Sequence, residues 1–165
     1  MAQSGNSSLL AETTGIPDLR NASIVLVKTE WNRFIVDELE KGCLARLQGA
    51  GVKNIRSLVV PGAFEIPFSV KAYWDHCRPK KRPEAFIALG CVLRGDTPHF
   101  DYVCRAVTDG VLQLNLGLPV PTIFGVLTVD TEEQARERIG GRHGHKGEEA
   151  AMTALKMIAL TRQFS

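Results

Sequence analysis

The sequence predicts an α/β fold, a three-layer α/β/α sandwich in which helices cover both faces of a four-stranded parallel sheet. Two observations carry that expectation. Short, apolar, β-branched runs recur along the chain, and each is followed by a segment whose apolar residues fall at helical spacing. The runs lack the in–out alternation of a half-solvated strand, which is how strands buried on both faces read. Length adds a bound: 165 residues suffice for one core and leave little room for a second.

Residues 1–22, rich in Ser, Thr, Asn and Gly, read as a flexible N-terminal arm that a neighbouring subunit could order. Residues 23–165 form a single domain. Its first strand is Ser23–Lys28, followed by a helix with Val36, Leu39, Cys43 and Leu47 on one stripe, ended by Gly49 and Gly51. The short second strand, Ser57–Val60, closes on Pro61-Gly62. A helix starts near Pro67, since proline is tolerated in a first turn. The third strand is Ala85–Val92, and Tyr102–Leu116 has Val103, Ala106, Val107, Val111 and Leu114 at helical spacing. The fourth strand is Thr122–Leu127. Thr131-x-x-Gln134 looks like a capping box opening a short helix to about Arg138, broken by Gly140 and Gly141. A last helix from about Gly147 to Leu160 turns Ala151, Ala154, Leu155 and Ile158 inward. Right-handed crossovers between the strands give a flavodoxin-like arrangement.

Composition excludes several classes. Net charge is +2 with both signs spread along the chain, and no basic block suited to a phosphate backbone stands out, so no nucleic-acid partner is expected. The one dense basic run, Arg78–Pro83, carries two prolines and reads as a solvated loop. No apolar run reaches the roughly 18–20 residues of a membrane helix, and no membrane association is expected. The N-terminus does not read as a secretory signal. Cys43, Cys77, Cys91 and Cys104 form no CxxC pair or zinc spacing, which fits reduced thiols in a cytoplasmic protein.

In such sheets ligands bind beyond the carboxyl ends of the strands. After strand one stands Trp31, a flat rigid face suited to stacking on a planar heterocycle, or equally a core or interface tryptophan. After strand two, the turn of Val60–Pro67 exposes backbone groups, and Glu65 could hold sugar hydroxyls or simply favour a helix start. The segment after strand three, Gly90–Asp101, is the most informative. Gly95 permits close backbone approach, and Thr97 with its neighbouring amides lies where an anion binds well, at a helix N-terminus. His99 falls in that helix's first turn, where the dipole disfavours imidazolium and leaves an imidazole able to accept a proton. Near the C-terminus Arg136, Arg138, Arg142, His143, His145 and Lys146 cluster around a Gly-Gly break. A guanidinium there could clamp a phosphate, and the alternative is a solvated basic face. His143-x-His145 lacks a third ligand at metal spacing, and no metal is expected.

Taken together these stretches resemble the lumazine synthase family. The resemblance rests on Glu30-Trp31-Asn32, VPGAFEIP at 60–67, GCVLRGDTPHFDYV at 90–103, PTIFGVLT at 121–128, and the pattern from Ala135 and Arg138 through Gly144–Gly147 to Glu149–Ala151, in order over residues 23–162. It implies a cofactor-independent transferase that makes 6,7-dimethyl-8-ribityllumazine from 5-amino-6-(D-ribitylamino)uracil and 3,4-dihydroxy-2-butanone 4-phosphate. It also implies roles. Trp31 stacks on the pyrimidine, with Trp where the family often has Phe. Ala63, Phe64 and Glu65 hold the ribitylaminouracil, Glu65 on the ribityl chain. The backbone of Cys91, Val92 and Leu93 meets the uracil edge. Asp96 and Thr97 hold the ketose phosphate, His99 is the catalytic histidine and Arg138 the phosphate-binding arginine. Lys146 lies in the same region, and Phe124 comes from a neighbouring subunit. Glu149 is expected to pair with Arg138. The resemblance further implies a homopentamer, or a 60-subunit icosahedral shell of pentamers, with sites at subunit interfaces, and riboflavin synthase as a further partner. The short Ile139–His145 connection is compatible with the shell. Two rival readings are a lumazine- or flavin-binding protein without catalysis and a flavodoxin-like electron carrier. His99 and Arg138 argue against the first, and the lack of a Ser/Thr/Gly-rich loop after strand one argues against the second.

Overall fold

A computed structural model describes residues 18–164, so residues 1–17 of the expected arm lie outside the described residues. Four strands form the main sheet: β1 (Ser23–Thr29), β2 (Asn54–Val60), β3 (Ala85–Leu93) and β4 (Thr122–Val129). Their spatial order is β2-β1-β3-β4 and every pairing is parallel. The chain therefore runs outward from β1 to β2 and then returns across β1 to build β3 and β4. The direction of winding reverses between β1 and β3, and the crevice at the carboxyl ends of those two strands is where a ligand fits such a sheet.

Helices α1 (Arg33–Gly49) and α5 (Lys146–Thr161) pack on one face. Helices α2 (Ile66–His76) and α3 (His99–Gly117) pack on the other. Alternation along the strands sends Ile24, Leu26, Ile87 and Leu89 to the first face and Val25, Val27, Phe86 and Ala88 to the second. Because both faces are covered, all eight are buried, which is why β1 and β3 read as continuous apolar runs. Burying each such large side chain stabilises by about 1.5–3 kcal/mol before entropy is charged against it. Phe86 meets Tyr73 of α2 edge-to-face, at 5.8 Å between ring centroids.

The expected inward residues of α1 and α5 are all buried: Val36, Leu39, Cys43 and Leu47 in one, Ala151, Ala154, Leu155 and Ile158 in the other. The two helices meet closely. A Cβ on Gly147 would stand 2.0 Å from the Leu39 carbonyl oxygen, and one on Gly42 would run into the His145 ring. At the end of the first face Lys28 breaks the apolar pattern. Its largely buried ammonium bonds Asp37 and Glu40 of α1, and that contact holds Asp37 below the usual carboxylate range.

Several boundaries differ from the sequence reading. β2 begins at Asn54 rather than Ser57, because as an edge strand it is largely exposed and its polar residues mask it. Helix α3 begins at His99, in the first turn where the sequence reading placed that residue, ahead of Tyr102 where the helical spacing becomes legible; its N-cap Pro98 makes no side-chain bond. The capping box is present in α4 (Glu132–Arg136): Thr131 Oγ1 accepts from Gln134 N–H, while Gln134 Oε1 accepts from Asp130 N–H, one residue before the cap. α4 stops at Arg136, and a small antiparallel pair, β5 (Ile139–Gly141) and β6 (Gly144–His145), follows where only a break was expected. Gly140, at the irregularity in β5, and Gly144, which opens β6, both take positive φ. At the other end Leu19 and Ala22 are buried in the first core, and Arg162 ties the Asp18 carbonyl and the Glu84 carboxylate together.

Candidate active site

The carboxyl ends of the four strands are laced to one another. Glu30 N–H donates to Val60 O and Trp31 N–H to Pro61 O, joining the turns after β1 and β2. Arg94 N–H donates to Val129 O, joining those after β3 and β4. Across the switch point Asn32 Nδ2 donates to Cys91 O at 2.8 Å. Asn32 sits in the left-handed region with φ 57°, a conformation asparagine tolerates, and its own carbonyl accepts the first N–H groups of α1. Its side chain is thereby freed from capping to bridge the crevice.

Around that bridge the residues after β1 and β2 converge. A Cβ on Gly62 would lie 3.1 Å from Glu65 Oε2 and 3.6 Å from Trp31 Cδ1, so carboxylate and indole flank the same bare glycine. Ala63 is buried beneath them and Phe64 exposed, on a single 3₁₀ turn (Ala63–Glu65) that leads into α2. Trp31 is 73% exposed. A core role for it is thereby excluded, and a large flat face is left open in a cleft that also offers a carboxylate.

On the β3 side Cys91 is buried and Val92 and Leu93 half-buried. Burial pushes the Cys91 thiol up to about 11, and that of Cys43 to about 12, so neither offers a thiolate near neutrality. Beyond them Asp96, Thr97 and His99 are exposed, His99 as the first residue of α3. Arg94, which the sequence reading left without a role, grips this loop. It donates through Nε to Asp130 at 2.7 Å and through NH1 to Asp101 at 3.3 Å, and lies 4.1 Å over the Phe100 ring.

Phe124, Arg138 and Lys146 are elsewhere. They line a groove of about 1080 Å³ along the outer edge of β4. Phe124 pairs with Ala88 of β3, whereas Trp31 lies past the end of β1, beyond the level of Leu89. Four residues along and two strands across puts them on the order of 15 Å apart. Arg138 donates to Gln134 O at 2.7 Å. Glu149 does not pair with Arg138 as expected. It takes Lys146 Nζ on both oxygens, at 2.7 and 2.8 Å, because the two residues stand one helical turn apart at the start of α5. One chain therefore brings together Trp31, Ala63, Phe64, Glu65, Cys91, Val92, Leu93, Asp96, Thr97 and His99 around its strand ends, and holds Phe124, Arg138 and Lys146 on a separate face.

Among the described residues no three or more His, Cys, Asp or Glu side chains are grouped to hold a metal ion, and no helix is long and apolar enough to cross a membrane. Asn32 and Arg94 are the residues sequence reasoning passed over. Each stands inside a motif it quoted, and the signal for each is a side chain beside a strand end with a polar partner across the crevice.

Comparison with known proteins agrees with the geometry. The family model described as 6,7-dimethyl-8-ribityllumazine synthase matches residues 21–162. A 6,7-dimethyl-8-ribityllumazine synthase of Parabacteroides distasonis is 48% identical over 145 residues, 87% of this chain and 88% of that protein. One of Porphyromonas gingivalis is 48% identical over 149 residues, 89% and 90% of the two chains. One of Cytophaga hutchinsonii is 44% identical over 160 residues, 96% and 98%. The chain belongs to the 6,7-dimethyl-8-ribityllumazine synthase family, transferases of riboflavin biosynthesis.

Proposed function

We propose that the chain condenses 5-amino-6-(D-ribitylamino)uracil with 3,4-dihydroxy-2-butanone 4-phosphate, at a site built from two copies of itself. The observation that carries this reading is the exposed Trp31 face beside Glu65 around Gly62, at the switch point of a sheet whose chain belongs to this family. Trp31 stacks on the pyrimidine, Ala63 and Phe64 flank it, Glu65 accepts from ribityl hydroxyls, and the backbone of Cys91, Val92 and Leu93 reads the uracil edge. The backbone amides of Asp96 and Thr97, just ahead of α3, take the phosphate, with the Thr97 hydroxyl beside them.

The 5-amino nitrogen attacks the ketone carbon, and water leaves as the imine forms. A base removes the proton from the adjacent hydroxyl-bearing carbon, the terminal C–O bond breaks and phosphate departs. The enol so formed becomes a carbonyl, the ribityl-bearing nitrogen closes on it, and a second water is lost. His99 is the proton carrier, exposed at the helix start beside the phosphate turn. Arg138 clamps the phosphate through the charge-assisted bonds a guanidinium makes best, and Lys146 adds charge nearby. Much of the acceleration comes from holding two reactive substrates in one orientation, so removal of His99 slows the reaction without abolishing it.

The groove on β4 supports the two-copy site: Phe124, Arg138 and Lys146 serve the cleft of a neighbour rather than their own. A cyclic homopentamer satisfies that geometry at every interface, and the short connection between β5 and β6 leaves a 60-subunit shell open to assembly. Riboflavin synthase is a consumer of the product and a candidate partner. The composition of the chain and its free, unpaired cysteines favour a cytoplasmic setting. The test is to mix both substrates with purified protein and follow product absorbance and green fluorescence, with His99→Ala and Arg138→Ala alongside. Turnover that falls in both variants is expected. No turnover by the wild type, with tight binding of riboflavin, would move the reading to a binding protein.

A further inference from the structure

The loop Gly95–Pro98 carries the phosphate turn and aims His99, yet packing does not hold it. Residues 94–99 are exposed, and a Cβ on Gly95 would meet nothing within 4 Å. An exposed loop of this kind samples many conformations unless something ties its ends. Here one side chain does so. The Arg94 backbone is fixed as a continuation of the β3–β4 ladder by its N–H bond to Val129 O. Its guanidinium then spans the mouth of the loop, reaching Asp130 beyond β4, Asp101 in the first turn of α3, and the face of Phe100 between them. Both ends of the loop are thus stapled to each other and to the end of β4.

The staple continues past Asp130. The Asp130 N–H donates to Gln134 Oε1, and the Gln134 carbonyl accepts from Arg138. The residue that orients the phosphate turn of one site is joined, through three consecutive contacts, to the arginine offered to the next.

We propose that Arg94 is a positioning residue for the reaction: clasped by Asp130 and Asp101 and laid on Phe100, it sets the loop from which Thr97 and His99 act. This rests on the functional reading above. Arg94 acts through the loop rather than on the phosphate, since Nε and NH1 of its guanidinium are already committed to Asp130 and Asp101. Exposed ion pairs contribute little to global stability, so the clasp acts on the aim of the loop and not on the fold.

The test uses the full chain with Arg94→Ala, Asp130→Asn, the double variant and Arg94→Lys. Steady-state kinetics are read separately for each substrate, and amide hydrogen exchange is read over residues 95–101. Each single variant is expected to lose about ten-fold in kcat/KM for the ketose phosphate, as misplacement by a fraction of an ångström does. The KM for the ribitylaminouracil should hold, and exchange in the loop should quicken. The double variant should lose no more than the worse single, since both remove one interaction. Arg94→Lys, which keeps the charge but loses the planar fork that lies on Phe100 while Nε meets Asp130 and NH1 meets Asp101, should not restore the rate. Arg94→Ala with wild-type exchange and wild-type kcat/KM would overturn the proposal. So would a loss in Arg94→Ala with none in Asp130→Asn, which would make Arg94 a direct phosphate ligand. Should the wild type turn over nothing, the functional reading falls, and the exchange comparison still decides whether the clasp orders the loop.

Discussion

Replacing Gly147 by alanine would drive a methyl group into the α1 backbone. The new carbon would stand 2.0 Å from the Leu39 carbonyl oxygen, 2.8 Å from its carbon and 3.1 Å from His145 Cε1. The obstacle is main chain in the middle of a helix and cannot swing aside, so α5 must lift from α1. Overpacking of this kind costs about 3 kcal/mol, at the upper end of its usual range, while alanine over glycine in a helix returns about 0.5–1 kcal/mol. The net loss is about 2 kcal/mol. For a chain of this size that lowers the melting midpoint by about 4–8 °C. The assay is thermal or urea unfolding at one fixed protein concentration, because assembly adds to apparent stability. Gly49→Ala is the internal control: no atom lies within 4 Å of its Cβ position at the end of α1, and it should be neutral or slightly stabilising. α5 opens with Lys146, so the KM for the ketose phosphate should rise as well. A Gly147→Ala midpoint equal to that of Gly49→Ala would refute the close helix contact and the packing argument built on it.

Trp31→Ala should raise the KM for the ribitylaminouracil by ten-fold or more, whereas Trp31→Phe should keep most of the affinity, since stacking on a base ring is worth about 1–3 kcal/mol; steady-state kinetics read this. Thr131→Ala removes the cap of α4 and should cost about 1 kcal/mol locally, loosening Arg138 and raising the KM for the ketose phosphate while leaving the uracil KM unchanged. For the thiols, the folded state raises Cys43 and Cys91 to about 12 and about 11, above the unfolded value of 9.0. Their contribution to stability is therefore complete below pH 9 and is lost as pH rises through 9–12, by up to about 1.4 kcal/mol per pH unit for each cysteine. Urea unfolding between pH 7 and 10 should show this fall, and it should be shallower in Cys43→Ala, whose absolute stability is lower.

The sheet was legible in the sequence where its strands are buried on both faces. β1 and β3 announce themselves as unbroken apolar runs, but β2 hides its first three residues, Asn54, Ile55 and Arg56, because Asn54 and Arg56 are exposed at the sheet edge. The β5–β6 pair was invisible, since two- and three-residue strands carry no periodicity and Gly140 and Gly141 read only as a break. Within the site, Trp31, Glu65 and His99 could be picked out because each follows a strand. The Glu149 partner could not, since sequence does not tell which of two nearby cations, Lys146 or Arg138, lies on its side of the helix. Arg94 escaped notice for a related reason: its meaning lies in Asp130, 36 residues away.

The most direct test of a site shared between copies is complementation. Chains carrying His99→Ala and chains carrying Arg138→Ala would be unfolded together in equal amounts, refolded and assayed for lumazine formation. In a cyclic assembly with one site at each interface, random mixing gives about a quarter of the sites an intact His99 from one copy and an intact Arg138 from the next. The mixture should therefore recover about a quarter of wild-type activity, well above either variant refolded alone. A mixture no more active than the mean of the two variants would place His99 and Arg138 in the same site of the same chain and contradict the account.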